Sequence, residues 1–468
     1  MTQTVALGAD QAPPSFGMSE VWDASRIRAL DRSGQSLVMD RISGRWALVP
    51  ASDAHLVPLL ASDPGGELGS EASARLQALR TALQELGLGF EGTERKFSAL
   101  NTLILKLTNA CNLACTYCYD HEDMEKATVL GVSNALLAIG QALAIAPGKL
   151  SVILHGGEPT LLWSQIEQII VEGEKLAKRY GNRIQFTGQT NLTRLDTRMV
   201  DFSNSHGILW GVSIDGSAKY HDKFRVDHQG NGSFSQYLRA LEKFPDFVRS
   251  CSVMTTVTLQ NAAHLLEIGR YFHQLGICAW DWSLFQPIGR ARASASIFEP
   301  DTADICSSWL ELFEAVESGE FDGFQVFPVT KYIDNFLSGP GDNMCMRSEC
   351  GAARDLLSIS ADGTIEACDC IDPKGCLSGL GNLETGSLSE ALGSPVAQKI
   401  RSRDLSAQAP CKDCIWYGVC GGTCLAHAGG VDAVWSAACE VAKTAFDAIS
   451  ASIARDDRLV RYMASIGV

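Results

Sequence analysis

Short apolar runs alternate with longer amphipathic stretches through the middle of the chain. Apolar runs of strand length precede segments whose apolar residues recur every three or four positions, a pattern typical of strands followed by helices. The alternation predicts a parallel α/β architecture, because strands separated by helices usually pair in parallel. The predicted strands are Leu103–Leu107, Leu150–Leu154, Ile184–Thr187, Leu209–Ser213, Ser252–Val257 and Ala279–Trp282. The predicted helices include Asn134–Ala146, Gln165–Tyr180, Ser233–Lys243 and Ala262–Leu275.

The residues before this core have a different organisation. Residues 1–18 contain Pro13-Pro14 and small polar side chains, which predict a flexible tail. Residues 19–95 are predicted to form a small α+β domain, because strand-like runs are followed by helical periodicity. Its predicted elements are strands Ser36–Ile42 and Arg45–Val49 around the turn Ser43-Gly44, then helices Ser52–Leu60 and Ser73–Leu86.

Length and net charge indicate how many domains the chain forms and which kinds of partner it can bind. A chain of 468 residues is long enough for two or three domains. Its formal net charge is -15 without a long basic run, which argues against nucleic acid as a partner because phosphate binding needs clustered Lys and Arg. The sequence has no apolar stretch of membrane-spanning length, and residues 1–16 lack the apolar core of a signal peptide. We therefore predict a cytoplasmic protein without a membrane partner.

Sixteen cysteines in a long chain without an export signal indicate metal ligation. Cys111, Cys115 and Cys118 follow the first predicted strand at C-x3-C-x2-C spacing. Three thiolates can hold three corners of a four-iron cluster and leave one iron open for a ligand. The alternative is a zinc site with a fourth ligand elsewhere, such as His121.

This spacing, with Asn112 after the first cysteine and Tyr117 before the last, resembles the radical SAM enzymes. The resemblance implies that the open iron chelates the amine and carboxylate of S-adenosylmethionine. An electron from the cluster then splits the sulfonium to give a 5′-deoxyadenosyl radical. The resemblance also implies that residues 96–320 form a partial (β/α)6 barrel, in which chemistry gathers at the carboxyl ends of the strands.

His155-Gly156-Gly157-Glu158-Pro159 follows the second predicted strand. Paired glycines allow backbone to approach a ligand closely, and Glu158 offers a carboxylate to an ammonium group. The segment resembles the family's GGEP motif, which implies that Gly156, Gly157 and Glu158 bind the methionine amine, with His155 as a further cofactor contact. The alternative is an ordinary strand-to-helix turn.

Two later strand ends carry further similarity to the family. Gln189-Thr190-Asn191 resembles its QTN segment, and Ser213-Ile214-Asp215-Gly216 with His221 to Arg225 resembles its S-x-D-G and H-D-x-x-R signatures. In this reading Arg225 clamps the cofactor carboxylate as a planar, permanently charged donor. For Asp215 and His221, turn formation and capping are the alternative. The implied cofactor contacts are Tyr117, His155, Gly156, Gly157, Glu158, Gln189, Asn191, Ser213, Asp215 and Arg225.

Ten cysteines lie between Cys345 and Cys439. Cys350, Gly363 and Cys368 fit C-x12-G-x4-C, and the later run has C-x2-C-x5-C-x3-C spacing, which together resemble the SPASM extension over residues 321–468. The resemblance implies two auxiliary [4Fe–4S] clusters, three clusters in all; zinc ribbons are the alternative. One cluster takes Cys345, Cys350, Cys368 and Cys424, and the other takes Cys411, Cys414, Cys420 and Cys439. Cys370 and Cys376 are surplus, and Cys370 is close enough in sequence to replace Cys368 or to remain a free thiol.

The implied function is radical modification of a peptide. Residues 19–95 look similar to the winged-helix, PqqD-like module that grips leader peptides by strand addition, although a structural cap is the alternative. Asp369 stands where sulfatase maturases carry a catalytic aspartate and can accept a proton, although a solvated loop acid is also possible. We therefore expect a C–C, ether or thioether crosslink in a ribosomally made precursor peptide, with a flavodoxin- or ferredoxin-type reductant. The alternatives are formylglycine formation in a sulfatase and a non-catalytic iron–sulfur carrier or peptide-binding adaptor.

Overall fold

The computed structural model describes residues 22–61, 69–90, 100–120, 127–339, 343–347 and 350–467. The predicted tail, residues 1–18, and the alternative zinc ligand His121 lie outside the described residues. Within these ranges, none of the helices is both long and apolar enough to cross a lipid bilayer.

An antiparallel three-stranded sheet, β1 (Ile27–Arg32), β2 (Gln35–Asp40) and β3 (Trp46–Val49), forms the N-terminal module, which we define as residues 22–90. Sequence analysis predicted β2 and β3 but missed β1, whose apolar residues are interrupted by charged ones. The predicted helix Ser52–Leu60 is instead split into Ala51–Ala54 and a 3-10 turn, Val57–Ala61. Pro58 explains the break, because proline has no N–H for a helical hydrogen bond. The longer helix is Ser70–Glu85.

The two faces of this sheet pack against different partners. One face presents Val38, Ala47 and Val49 to the helix Ser70–Glu85 and forms a small separate core. The other face presents Leu37, Met39, Trp46 and Leu48 to the main core of the protein. The module is therefore built onto the rest of the chain as well as around its own core.

A ten-stranded sheet forms the centre of the protein. The six strands β4 to β9 follow one another in chain order and pair in parallel, which confirms the predicted α/β barrel. They are β4 (Thr102–Lys106), β5 (Lys149–His155), β6 (Arg183–Thr190), β7 (Leu209–Ser213), β8 (Ser252–Val257) and β9 (Ala279–Leu284). The associated helices are Val132–Ile145, Trp163–Tyr180, Thr197–Ser205, Ala218–His221, Phe234–Lys243, Pro245–Ser250, Leu265–Gln274, Ala295–Phe298 and Thr302–Glu317.

The C-terminal region continues the same sheet. Strand β10 (Gln325–Val326) pairs with β9 at one edge. At the other edge β11 (Leu356–Ile359) pairs in parallel with β4, followed by β12 (Thr364–Glu366) and β13 (Gly381–Asn382). The cysteine-rich region is thereby joined to the strand that leads into the C-x3-C-x2-C loop. Its helices are Phe327–Ser338, Leu388–Gly393, Pro395–Arg401, Tyr417–Cys420, Leu425–Ala428, Ser436–Ile453 and Arg458–Ser465.

Candidate active site

A cavity of about 290 Å³ lies at the carboxyl ends of the barrel strands and collects most of the predicted site residues. Parallel strands bring such residues together because all their carboxyl ends meet at one edge of the sheet. The predicted residues that line it are Cys111, Cys115, Tyr117, Cys118, His155, Gly156, Gly157, Glu158, Gln189, Asn191, Ser213, Arg225 and Asp369.

The paired glycines allow the loop after β5 to dock onto the backbone just before Cys111. Gly157 N donates to Thr108 O at 2.7 Å, and Glu158 N donates to Ala110 O at 2.9 Å. A Cβ atom on Gly157 would lie 2.1 Å from Ala110 O, and one on Gly156, whose φ is +127°, would lie 2.4 Å from Thr108 O. The glycines therefore bring two loops of the protein together, in addition to exposing backbone to a ligand.

We expect Gly157→Ala to prevent assembly of the cluster at Cys111, because the new methyl group must displace the backbone of residue 110. Iron content after anaerobic reconstitution should fall by about four per chain, the content of one cluster. The matched control is Gly131→Ala, where an added Cβ meets nothing within 4 Å. Equal iron content in the two variants would contradict this account of Gly157.

Glu158 is 1% exposed and ties the loop after β5 to the loop after β6. Its carboxylate accepts hydrogen bonds from Thr190 Oγ1 at 2.8 Å, Asn191 N at 2.8 Å and Thr160 N at 3.1 Å. Burial raises the pKa of Glu158, although these donors oppose the shift. Sequence analysis assigned this carboxylate to an ammonium group; the structure gives it a loop-fastening role at the cavity wall.

The polar residues after β6 and β7 face the cysteine loop. Asn191 Nδ2 lies 3.8 Å from Cys111 Sγ and 3.0 Å from Asn112 Oδ1. Gln189 Nε2 donates to Ser213 Oγ at 2.8 Å and so links the two strand ends. The side chains thus form two hydrogen-bonded pairs, and Asn191 lies beside the first cysteine.

Asp215 does not line the cavity, although sequence analysis predicted that it contacts the cofactor. Asp215 is only 3% exposed. Its carboxylate accepts hydrogen bonds from Arg225 Nε at 3.0 Å and Nη2 at 3.1 Å, from the Tyr117 hydroxyl and from the Thr256 backbone N–H. Arg225 itself does reach the cavity. The structure therefore makes Asp215 the residue that orients Arg225 and Tyr117.

His221 is also buried away from the cavity. Its Nε2 lies 2.9 Å from Ser233 Oγ, and its Nδ1 accepts from Asp215 N at 3.4 Å. Burial lowers the pKa of His221 to about 4, so the imidazole is neutral near pH 7. These contacts favour the turn-forming alternative for this residue.

The segment after β9 clamps the cysteine loop, which no sequence motif indicated. Arg290 N donates to Cys118 O at 3.0 Å, and Arg290 Nη1 donates to Cys115 O at 2.9 Å. Gly289 packs so closely that a Cβ atom there would lie 2.2 Å from Tyr119 O. Backbone carbonyls are the acceptors in these contacts, so the sequence carries no specific signal for them.

Asp369 is fastened to the barrel at the cavity wall. Tyr119 Oη donates to Asp369 Oδ2 at 3.2 Å, and Lys106 Nζ at the end of β4 donates to Asp369 O at 3.1 Å. Gln286 Nε2, after β9, donates to Cys370 O at 2.8 Å. Both Asp369 and Cys370 line the cavity, so a loop of the cysteine-rich region completes it.

Comparison with known proteins agrees with this geometry. The Radical SAM superfamily matches residues 105–272, and the iron–sulfur cluster-binding domain SPASM matches residues 350–415. The chain contains a radical SAM domain and a SPASM domain. It is 24% identical over 341 residues to the cysteine-type anaerobic sulfatase-maturating enzyme of Clostridium novyi, covering 70% of this chain and 88% of the relative. A serine-type enzyme of Klebsiella aerogenes is also 24% identical, covering 74% and 84%.

Two solved structures show the same fold. The structure of anSMEcpe with bound AdoMet has a TM-score of 0.66 at 20% identity, covering 78% of this chain and 99% of that chain. Streptococcus suis SuiB bound to the precursor peptide SuiA has a TM-score of 0.55 at 16% identity, covering 90% and 100%. The chain therefore shares its overall fold with these two proteins.

In the SPASM domain one of the two predicted cysteine groups surrounds a cavity. Cys411, Cys414, Cys420 and Cys439 line one small cavity of about 20 Å³. Burial and the neighbouring thiols of Cys424, Cys368 and Cys350 raise the pKa of Cys345 well above its usual value, and Cys424 and Cys345 also interact with Cys370. Cys370 lies beside Cys368, whereas Cys376 is exposed. Ligation by each group stays a prediction.

The donor sets fit iron–sulfur clusters. Burial raises the pKa of Cys111 to about 12 and that of Cys115 to about 11, so without a metal these thiols keep their protons. Iron replaces those protons and compensates the charge of the thiolates. His155 also has a buried Nδ1 without a hydrogen-bond partner among the described residues, and its side chain lines the cavity. Such an orphaned polar atom suits a polar ligand.

Proposed function

We propose that this enzyme modifies a ribosomally made precursor peptide and forms a C–C, ether or thioether crosslink. The observation that carries the proposal is the shared cavity, in which Asp369 of the SPASM domain lies with Cys111, Cys115, Cys118 and the cofactor-motif residues of the barrel. A substrate side chain in this cavity is within reach of both domains. Two proteins with the same fold, anSMEcpe and SuiB, have been solved in complex with peptides, which supports a peptide substrate.

Different residues of the chain bind the cofactor and accept the substrate proton. When bound, S-adenosylmethionine and the clusters supply hydrogen-atom removal and electron acceptance. Arg225, oriented by Asp215, holds the cofactor carboxylate, and Asn191 and Ser213 offer hydrogen bonds beside it. Asp369 accepts the proton that the substrate loses, and the Tyr119 hydroxyl fixes the position of its carboxylate.

The N-terminal module is proposed to bind the leader part of the peptide at β1. This strand lies at an edge of its sheet and is partly exposed, whereas β3 at the other edge is buried. Arg41 N donates to Arg26 O, so these two residues form a hydrogen-bonded pair of the antiparallel ladder. Such pairs recur at every second residue, so the even-numbered residues of β1 bond to β2, and the N–H of Ala29 points away from β2. The match to SuiB covers 90% of this chain, more than the residues after 95 could supply alone. It therefore includes part of the N-terminal module, which supports a recognition role for that module.

The test is co-expression with any small peptide encoded beside this protein, followed by mass spectrometry. We expect the peptide to lose two hydrogens with the wild-type enzyme. Asp369→Asn should abolish that product but leave cofactor cleavage to 5′-deoxyadenosine, because it removes only the proton acceptor. Ala29→Pro should weaken peptide binding at least about tenfold, since proline removes an edge N–H.

Ala29→Val is the matched control because it keeps that N–H and should bind normally. Deleting residues 1–95 is a poorer test, since Trp46 of the module donates to Phe336 O and the deletion exposes the main core. An unmodified peptide in the presence of active, cofactor-cleaving enzyme would overturn the crosslinking proposal. Normal peptide binding by Ala29→Pro would overturn the leader site alone.

Formylglycine formation in a sulfatase is the second candidate. Two observations favour it: relatives named as sulfatase-maturating enzymes, and Asp369 directly after Cys368 at the cavity. Oxidation of a serine to formylglycine also removes two hydrogens, so the mass change alone does not decide. An aldehyde reacts with a hydrazide reagent and a crosslink does not, which separates the two products.

A further inference from the structure

Among the described residues, two buried arginines have no carboxylate within ion-pair distance, although Asp404 and Asp413 interact electrostatically with Arg41 from farther away. Arg41 of the N-terminal module is 8% exposed, and Arg403 of the SPASM domain is 6% exposed. In the part of the chain that the structure describes, neither forms an ion pair, and the Nε atom of each has no hydrogen-bond partner. The acid next to Arg41, Asp40, is already paired with Arg26 at 3.1 Å.

Both guanidinium groups donate to backbone carbonyls of residues that line the small cavity of Cys411, Cys414, Cys420 and Cys439. Arg41 Nη2 donates to Cys411 O at 3.1 Å and to Ser406 O at 2.6 Å. Arg403 Nη2 donates to Gly422 O at 2.8 Å, and its Nη1 donates to Thr423 O at 3.2 Å. Cys411, Gly422 and Thr423 all line that cavity.

The turn between β2 and β3 is seated directly on the loop before Cys420, which fixes Arg41 in place. A Cβ atom on Gly418 would lie 2.3 Å from Gly44 N, and one on Gly44 would lie 2.8 Å from Gly418 O. Gly44 also has φ +73°, a conformation that favours glycine. The module and the cysteine loop are therefore in backbone contact beside the cavity.

A buried cation without an opposite charge is costly. Burial lowers the pKa of Arg41, which reflects the same unfavourable desolvation. A four-iron cluster held by four thiolates is an anion, and its reduction makes it more negative. A cluster in this cavity would supply negative charge beside both arginines, whose Nη groups are held by backbone carbonyls.

We propose that Arg41 and Arg403 are counter-charges of the auxiliary cluster at Cys411, Cys414, Cys420 and Cys439, so that the N-terminal module completes this cluster site. The inference rests on the proposed assignment of the auxiliary clusters. It gives the module a role in electron acceptance that is separate from leader binding. Removing one positive charge should disfavour the reduced cluster.

The experiment is a spectroelectrochemical titration of the reconstituted full-length enzyme, followed by electron paramagnetic resonance. In Arg41→Gln, the reduced-to-oxidised ratio of one cluster at a fixed potential should fall about tenfold, a shift of about 59 mV for a one-electron couple. Arg41→Lys should keep the wild-type value because it keeps the charge. Arg32→Gln is the matched control, since Arg32 also joins the module to the C-terminal region but pairs with Asp447.

Each outcome decides one claim. Wild-type enzyme with about four irons per chain, the content of one cluster, would overturn the auxiliary-cluster assignment itself. About twelve irons with unchanged potentials in Arg41→Gln would overturn the counter-charge alone. If Arg41→Gln instead loses about four irons, recovery of that iron in Arg41→Lys supports the charge role, and failure to recover it rejects that role.

Discussion

Replacing Cys111, Cys115 and Cys118 together by alanine should lower the iron content from about twelve to about eight per chain, because one of three four-iron clusters is lost. Production of 5′-deoxyadenosine should cease, since these three thiols line the cavity with the cofactor-motif residues. Iron analysis after anaerobic reconstitution and chromatography of the reaction products measure the two effects. The auxiliary sites use other cysteines, so their spectroscopic signals should remain.

The matched control is Cys278→Ala combined with Cys376→Ala, because both residues are exposed and belong to neither cysteine group. This variant should keep about twelve irons and full cofactor cleavage. Continued 5′-deoxyadenosine production by the triple variant would reject the assigned site. Loss of all iron would instead mean that the loop is needed for folding, which circular dichroism of the same sample would reveal.

Local patterns predicted the barrel well. The predicted bounds Leu209–Ser213 and Ser252–Val257 coincide with β7 and β8. These strands are buried at alternate positions, so hydrophobic periodicity defines them. The C-x3-C-x2-C motif likewise located one wall of the cavity, because all its residues lie within one loop.

Contacts between distant segments could not be predicted in this way. Strand β1 was missed because charged side chains interrupt its apolar positions, and the pairing of β11 with β4 joins residues about 250 positions apart. The contacts of Asp215 with Arg225 and Tyr117 could not be predicted either, since a motif names the residue but not the atoms it faces. No sequence motif indicated a role for Arg41, because its hydrogen-bond acceptors are backbone carbonyls of a segment far away in the chain.

Asp215→Ala should destabilise the barrel and abolish cofactor binding. The substitution leaves the buried guanidinium of Arg225 without its bidentate partner and the Tyr117 hydroxyl without an acceptor. Breaking one side of a buried ion pair costs about 3–5 kcal/mol in the free energy of unfolding. Anaerobic denaturant titration and equilibrium binding of S-adenosylmethionine measure the two effects.

Asp215→Asn tests whether residue 215 acts by orienting Arg225 or through its negative charge. The amide keeps one acceptor oxygen but is neutral. It should retain part of the stability while still weakening cofactor binding, since Arg225 then donates a single hydrogen bond to residue 215 and can rotate. Glu320→Gln is the matched control at a partly exposed pair with Arg270, where the change in unfolding free energy should stay within about 1 kcal/mol. If Asp215→Ala binds the cofactor like the wild type, Arg225 is not the carboxylate clamp and the orienting role of Asp215 fails with it.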